Sequence, residues 1–167
     1  MDIRSGCPIN LSVEVLGDRW SLVVLRDMMF GNLRTYRELH GHSLEGIATN
    51  ILASRLRHLE AQGFITAAPD PGHKQRTIYS LTEKSIALLP ALVALGAWGR
   101  QFLPTTPELA IRNQVLEEGG QALQDAFMAE MRERHLGIPN PNDGPTVSDR
   151  LRAAYDAAVA EAADQTS

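Results

Sequence analysis

Residues 49–81 read TNILASRLRHLEAQGFITAAPDPGHKQRTIYSL, and this stretch decides the fold. Its first half predicts a helix over 49–62, because leucines recur at intervals of four and three residues and so fall on one face. These inward positions are Leu52, Leu56 and Leu59. The opposite face carries small and polar side chains, and Gly63 ends the helix. The pattern therefore predicts an amphipathic helix with a polar outer face.

The period changes after Gly63 to one that is typical of strands. Residues 64–68 and 77–81 contain β-branched and aromatic side chains, which predicts two short strands. Between them, residues 69–76 hold two prolines and a glycine, followed by basic side chains. This composition predicts a turn-rich loop, so the two strands form a small hairpin with a charged tip.

Further helices are predicted before this stretch, over residues 8–16, 20–30 and 35–40. Pro8 suits the first turn of the first helix, where its missing N–H costs nothing. Helices followed by a two-stranded hairpin, in this order, predict a winged helix-turn-helix. The expected fold class is therefore mainly α with a small β-hairpin wing.

A long apolar helix is predicted after the hairpin, over residues 83–103, with Thr82 as its N-cap and a kink at Pro90. Its apolar side chains cover more than one face, so one face can pack on its own domain while another needs a partner. These side chains are Leu88, Leu89, Leu92, Val93, Leu95, Trp98 and Phe102. A second copy of the chain is the simplest partner, which predicts a homodimer.

The remaining residues predict a helical C-terminal extension of unknown role. Thr106 and Pro107 start a helix that runs to residue 135 and that Gly119-Gly120 interrupts. Residues 137–145 have the composition of a linker, and Thr146 caps a final helix to residue 163. We therefore expect a winged helix-turn-helix domain for DNA binding and dimerisation over residues 1–103, and the extension over 104–167.

The composition of the chain narrows the function classes. The 167 residues are 44% hydrophobic and 22% charged, which suits a folded domain, and the single cysteine excludes an internal disulfide framework. The start of the chain lacks the pattern of a secretory signal, and the longest apolar run, residues 86–99, is too short to span a bilayer. These features predict a cytoplasmic protein without a membrane partner. Residues 1–103 carry a net charge of +2 and residues 104–167 a net charge of −6.

The polar outer face of helix 49–62 is suited to the major groove of DNA, which is about 12 Å wide. Four of its side chains are the expected base contacts: Thr49, Asn50, Ser54 and Arg57. Contacts with phosphates or the adjacent minor groove are expected from Arg34, Arg37, Arg55, His73, Lys74 and Arg76. On periodicity and charge alone, ordinary solvated helix faces remain the alternative.

Motifs spread over residues 7–99 carry a resemblance to a known family. They are Cys7-Pro8, Gly17-Asp18-Arg19-Trp20, Leu25-Arg26-Asp27, Tyr36-Arg37-Glu38-Leu39, Gly46-Ile47, Arg55-Leu56-Arg57, Leu59–Ile65, Tyr79–Glu83 and Leu88-Leu89-Pro90. This set resembles the HxlR-type winged helix-turn-helix transcriptional regulators, relatives of the MarR group. The resemblance implies a homodimer that binds operator DNA through the helix near 49–62 and the wing. It also implies a dimer interface formed by the first helix and the long helix after the wing.

Three departures from the family pattern affect the site. The family often carries Pro followed by an acidic or polar residue before the wing Tyr, whereas Arg76-Thr77-Ile78 precede Tyr79 here. The family usually has Ser before its recognition helix as a cap, whereas this chain has Ala48, which leaves Thr49 as the alternative cap. A Gly commonly follows the Leu-Thr-Glu segment by one residue, and here it is Ser85. These departures concern which bases are contacted rather than the fold.

Other chemistries are less well supported by the sequence. Cys7 precedes Pro8 at a helix start, where a thiolate is favoured, so redox sensing is a hypothesis beside simple packing at an interface. His40 and His42 alternate in a Gly-rich loop without a nearby cysteine, which does not favour a metal site. No enzyme activity and no cofactor are expected.

The expected function is a DNA-binding transcriptional regulator, more specifically a repressor of a two-fold symmetric operator. One alternative is a winged-helix protein-interaction module without specific DNA binding. Another is a regulator whose extension binds a small-molecule effector in an apolar cavity. The side chains that would line this cavity are Leu109, Leu116, Leu123, Phe127 and Met131, which equally form a packing face.

Overall fold

The structure is a computed structural model that describes residues 5–164. Their helices and one two-stranded antiparallel sheet form two compact units, of which the first ends at Ser85 and the second begins at Ile86. The predicted fold class, mainly α with a β-hairpin wing and a helical extension, is confirmed. The predicted functional division between residues 103 and 104 stays a prediction.

Helices precede the hairpin in the first unit, each within one residue of its predicted bounds. They are α1 (Pro8–Leu16), α2 (Ser21–Gly31), α3 (Tyr36–Gly41) and α4 (Thr49–Ala61). Helix α2 is central, because Val24, Leu25, Met28 and Met29 are all at most 2% exposed. Both α3 and α4 pack against it. The core of the first unit therefore lies between α2 and the helix pair that follows it.

The wing is longer and its turn is tighter than the sequence predicts. Strand β1 (Ile65–Asp70) pairs with β2 (His73–Leu81), so only Pro71 and Gly72 form the turn. The predicted loop over 69–76 is therefore wrong. Pro69 is tolerated in β1 because a two-stranded sheet has only edge strands, where a missing N–H need not break a ladder. The register shifts between Pro69 and Asp70.

Thr82 joins the base of the wing to the end of α4. Its hydroxyl donates to the carbonyl oxygens of Gly63, at 2.8 Å, and Phe64, at 3.1 Å. The predicted role of Thr82 as a helix cap is wrong, because its hydroxyl is engaged there instead. The buried Ser85 hydroxyl accepts from the Thr82 backbone N–H at 3.0 Å. Ser85, which stands where the family commonly has Gly, therefore holds the chain in place where it leaves the wing.

The long helix predicted over 83–103 is broken into two. A short helix α5 (Glu83–Ile86) ends before α6 (Leu89–Phe102), and Pro90 lies in the first turn of α6. The predicted kink at Pro90 is therefore wrong. A proline lacks the N–H that a helix interior would use, whereas the first turn leaves that group unpaired in any case.

The second unit continues with α7 (Pro107–Glu118), α8 (Gly120–Leu136) and α9 (Val147–Asp164). The predicted break at Gly119-Gly120 is confirmed, and Gly120 has the left-handed φ of +63° that glycine tolerates. The predicted cap at Thr146 is also confirmed, since its Oγ1 accepts from the Asp149 N–H at 3.0 Å. Residues 137–146 form no helix, as their composition predicts.

The sequence allowed the alternative that apolar side chains of the C-terminal extension line a ligand cavity. Most of these side chains are instead packed against neighbouring helices of the second unit. Leu116, Phe127 and Met131 are at most 1% exposed, whereas Leu109 is 57% exposed. Helix α7 approaches α6 closely at Gly96, where an added Cβ would lie 2.2 Å from the Asn113 amide nitrogen. Leu116, Phe127 and Met131 therefore belong to a packing face within the second unit, to which the exposed Leu109 does not contribute.

The segment Glu83–Phe102 is long and apolar enough, by length and composition alone, to cross a membrane. The expectation that the longest apolar run is too short to span a bilayer concerns residues 86–99, and Glu83–Phe102 adds three flanking residues at each end of that run. Only 22% of its most apolar window is buried. The apolar surface of α6 therefore exceeds what its own unit covers.

Candidate nucleic-acid interface

Helix α4 turns an apolar face inward and a polar face outward, as predicted. Leu52, Leu56 and Leu59 are at most 3% exposed. On the other face Thr49, Asn50, Ala53, Ser54 and Arg57 are exposed or half-buried. The leucines anchor the helix, so its polar face is presented on a rigid element.

The first turn of α4 is fixed by α3 rather than by its own cap. Ala48 occupies the N-cap position, where it offers no side-chain acceptor, and Thr49 is the first helical residue. The alternative that Thr49 caps the helix is therefore wrong. The Tyr36 hydroxyl donates to the Thr49 carbonyl oxygen at 2.8 Å. This bond links the two helices of the helix-turn-helix, and sequence periodicity gives no signal for it.

Arg55 is held by an acid from another part of the chain. Its guanidinium lies 3.1 Å from an Asp18 carboxylate oxygen, and it donates to the Ser54 hydroxyl at 3.3 Å. Asp18 also accepts from the backbone N–H groups of Trp20, at 2.9 Å, and Ser21, at 3.0 Å. Burial opposes ionisation of Asp18, but the hydrogen bonds from Ser21, Trp20 and Arg55 outweigh it and lower its pKa. Asp18 therefore ties the start of α2 to α4.

We expect Asp18→Ala to destabilise the protein by about 1–2 kcal/mol at pH 7, because it removes both the helix-start bonds and the ion pair. A lowered folded-state pKa stabilises above the ordinary Asp value and loses that effect as pH falls through the folded value. The difference between variant and wild type should therefore shrink as the pH falls below 3.8, the ordinary value for Asp. Urea unfolding across pH tests this, with the exposed Glu14→Ala as control. A difference that is constant with pH would contradict it.

A second polar contact joins α4 to the end of α1. Nε2 of His58 lies 2.9 Å from the Val15 carbonyl oxygen, a geometry in which the ring nitrogen donates. The two residues are 43 positions apart, so the sequence gives no sign of this contact. Together with Asp18, it fixes α4 against the segment that precedes α2.

Arg34 is engaged with the wing. Its Nε donates to the Tyr79 carbonyl oxygen at 3.2 Å, and Nη2 donates to the Ser80 hydroxyl. The Tyr79 N–H in turn donates to the Arg34 carbonyl oxygen at 2.7 Å. Burial lowers the pKa of Arg34, against the nearby Glu38 charge. Arg34 is therefore hydrogen-bonded to β2 and holds that strand beside the start of α3. Its predicted contact with DNA stays a prediction.

The other predicted cations divide into free and paired side chains. Within residues 5–164, the exposed Arg37, Arg57 and Lys74 make no ion pair. Arg76 pairs with Asp70. His73 is exposed beside Lys74 on the wing. The structure thus places cations on α3, α4 and the wing of one unit, while their contacts with DNA remain predictions.

Cys7 is an exposed free thiol at the N-cap of α1, where its backbone N–H donates to the Ser5 hydroxyl at 3.1 Å. Its role in redox sensing stays a hypothesis. Within the described residues, no group of three or more metal-ligating side chains is close enough to hold an ion.

Two helices present large apolar side chains to solvent. On α1, Ile9 and Val13 are exposed, and on α6 and its end the exposed side chains are Leu95, Trp98, Phe102 and Leu103. Trp98 and Phe102 lie one turn apart with ring centroids separated by 5.5 Å. Exposed apolar clusters of this kind mark surfaces that bind another protein, a ligand or a membrane.

Known proteins resemble this chain over the first unit and α6. A profile of the HxlR-like helix-turn-helix family matches residues 15–107. An HTH-type transcriptional regulator of Synechocystis is 37% identical over 97 residues, which cover 58% of this chain and 70% of that protein. Another from Mycobacterium tuberculosis, Rv3095, is 33% identical over 115 residues, covering 68% and 71% of the two chains.

Solved structures agree with this relationship. The transcription factor PA1607 superposes with a TM-score of 0.56 at 36% identity, covering 61% of this chain and 69% of that one. A MarR-family regulator from Porphyromonas gingivalis superposes with a TM-score of 0.51 at 26% identity, covering 59% and 95%. The family match extends over more than half of the chain, and it includes α4 and the wing. The chain therefore belongs to the HxlR-like helix-turn-helix family and is a DNA-binding helix-turn-helix transcriptional regulator.

Proposed function

We propose that this regulator is a cytoplasmic homodimeric repressor that binds a two-fold symmetric operator. One α4 helix from each subunit enters the major groove of each half-site. The two grooves lie about 34 Å apart on one side of the duplex. The wings touch the DNA beside these grooves.

The observation that carries the proposal is the exposed polar face of α4. Asn50 and Arg57 project from a helix whose opposite side is buried, so their positions are set by the core. Amide and guanidinium groups match the paired acceptors and donors on purine edges. Exposed Arg37 and Lys74 supply charge for phosphates on either side of α4.

The homodimer is supported by the apolar side chains on α1 and α6. An isologous interface buries the same surface on both subunits, so each apolar side chain adds to the buried area once in each subunit. The resemblance to the HxlR-type regulators implies a dimer interface on these same two helices. A dimer also gives the operator its symmetry, because two identical recognition helices read inverted half-sites.

The test is selection of bound duplexes from a random pool by the full-length chain, followed by affinity measurements on the recovered sequence across a salt series. We expect an inverted repeat and an affinity that falls steeply as salt rises. Repression is then tested with a reporter gene that carries the recovered site upstream. Binding without any recovered motif would contradict the proposal and favour an interaction module.

We expect Arg57→Ala to relax base preference at one position of each half-site, at a cost of about 1–3 kcal/mol, if its guanidinium pairs with a base. Lys74→Ala is the matched control, since it removes a free cation from the wing. It should weaken binding to all sequences alike and reduce the salt slope by about one. Competition assays with single-base variants of the operator separate the two effects. An Arg57→Ala protein with unchanged base preference would show that Arg57 contacts phosphate only.

A further inference from the structure

Helix α1 packs only lightly on its own unit. Of its nine residues only Leu16 is buried, while Ile9 and Val13 expose apolar side chains. A helix that buries so little of its surface gains little stability from packing, and a helix of this length is marginal by itself. Individual polar contacts therefore contribute strongly to the position of α1.

Helix α4 supplies such a contact through His58. Nε2 of this half-buried side chain lies 2.9 Å from the Val15 carbonyl oxygen. Among the residues that the structure describes, no other side chain outside α1 makes a hydrogen bond to this helix. The polar attachment of α1 to its unit is thus made by the helix that carries the candidate base contacts.

The contact is placed where a helix needs a donor. Helix α1 ends at Leu16, so Val15 lies in its last turn, where carbonyl oxygens have no N–H donor within the helix. The ring N–H of His58 supplies one, and a donor at this end of a helix is also favoured by the helix dipole. One hydrogen bond therefore both stabilises the end of α1 and joins it to α4.

A second contact on the same side of α4 holds the segment that follows α1. Arg55 and His58 are three residues apart, so they lie on one side of the helix. Arg55 contacts the Asp18 carboxylate at 3.1 Å, just beyond the end of α1. The buried leucines of α4 fix this helix in the core. His58 thus extends a rigid connection from the core to α1 itself.

We propose that His58 is a positioning residue that couples α1 to α4 and thereby sets the spacing of half-sites that the dimer accepts. The inference rests on the proposed function, because it requires α1 to contact a second subunit and α4 to contact DNA. One added base pair moves a half-site by about 3.4 Å and rotates it by about 35°. With the hydrogen bond in place, α4 cannot follow that movement without displacing α1 at the interface.

The experiment measures the affinity of full-length variants for duplexes that carry the selected half-sites at the selected spacing, or one base pair closer or farther apart. His58→Leu keeps a side chain of substantial size and removes the donor. His58→Gln carries an amide N–H at a reach similar to that of Nε2. His58→Asn carries the same amide on a shorter side chain, so it tests the inference independently should the leucine disturb folding.

Glu60→Leu is the matched control, since Glu60 is exposed on the same helix and receives the same new side chain. Sedimentation equilibrium gives the dimer dissociation constant of each variant in the absence of DNA. This second measurement separates a change in the position of α4 from a loss of the dimer.

We expect the wild type to prefer the selected spacing by about tenfold over either neighbour, which is an ordinary strength of coupling between two sites. His58→Leu and His58→Asn should select the same half-site sequence and reduce that preference to within about threefold. His58→Gln should restore the preference. Glu60→Leu should behave as the wild type, and the dimer dissociation constant should be unchanged throughout.

Several results would overturn the inference and leave the proposed function standing. These are a wild type that accepts all three spacings equally, His58→Leu and His58→Asn proteins that keep the preference, and a Glu60→Leu protein that loses it. Dissociation of the His58→Leu and His58→Asn dimers would also overturn it, because His58 would then maintain the dimer rather than position α4. A wild type that is monomeric or recovers no inverted repeat would remove the proposed function and this inference together.

Discussion

Trp98→Glu is expected to convert the dimer into a monomer and to lower operator affinity by at least about 100-fold. Trp98 is 53% exposed on α6, next to the exposed ring of Phe102. In a two-fold interface the substitution places two carboxylates into apolar surface, and each buried aromatic anchor of this kind contributes about 2 kcal/mol or more. Two such losses exceed a factor of about 100 in the dimer dissociation constant.

The measurement is sedimentation equilibrium over a concentration range, combined with operator titration. Leu109→Glu is the matched control, since Leu109 is 57% exposed on α7 and lies outside the proposed interface. We expect it to remain dimeric and to bind normally. A dimeric Trp98→Glu protein, or a monomeric Leu109→Glu protein, would contradict the assignment of the interface to α6.

Glu130→Ala is expected to destabilise the second unit by about 3 kcal/mol. The Glu130 carboxylate on α8 is 5% exposed and accepts from the N–H groups of Val147 and Ser148, the latter at 3.1 Å, at the start of α9. It also accepts from the Ser148 hydroxyl at 2.7 Å and from the Arg134 guanidinium at 2.8 Å. Removing the acceptor leaves buried donors without a partner, and that desolvation cost is the physical reason for the large effect.

Chemical unfolding followed by far-ultraviolet circular dichroism tests this expectation. Glu133→Ala is the control, because Glu133 is exposed one turn along the same helix, and its change should stay within about 0.5 kcal/mol. Equal effects of the two substitutions would show that Glu130 does not anchor α9. Operator binding measured on both variants also reports whether the extension is needed for the DNA-binding function.

The bounds of the four helices before the wing and of α9 were predictable because their signals are local. The leucine spacing of α4, the proline in the first turn of α1 and the Thr146 cap of α9 all act within one or two turns, so neighbouring residues are enough to identify them. The errors arose where a residue had a distant partner. Thr82 has the side chain of a helix cap, but the carbonyl groups of Gly63 and Phe64 engage its hydroxyl.

Two wrong predictions, the kink at Pro90 and the loop over residues 69–76, both come from prolines whose effect depends on their surroundings. Pro90 disfavours a helix interior, and the chain responds by starting a new helix there instead of bending one. Pro69 and Pro71 indicated a loop, but an edge strand tolerates the first and a two-residue turn uses the second. Which response a proline produces depends on the packing around it.

The sequence by itself determined the fold class, the family and the polar face of α4, because periodicity and motif spacing follow from the order of residues alone. Only the tertiary structure decided what the cations do. Arg55 meets Asp18, Arg34 meets Tyr79 and Ser80, and Arg76 meets Asp70, while Lys74 has no ion pair among the described residues. These pairings depend on which elements the hydrophobic core brings side by side. Whether a cation holds two elements of the protein together or stays available for DNA depends on the groups that folding places within hydrogen-bond distance of it.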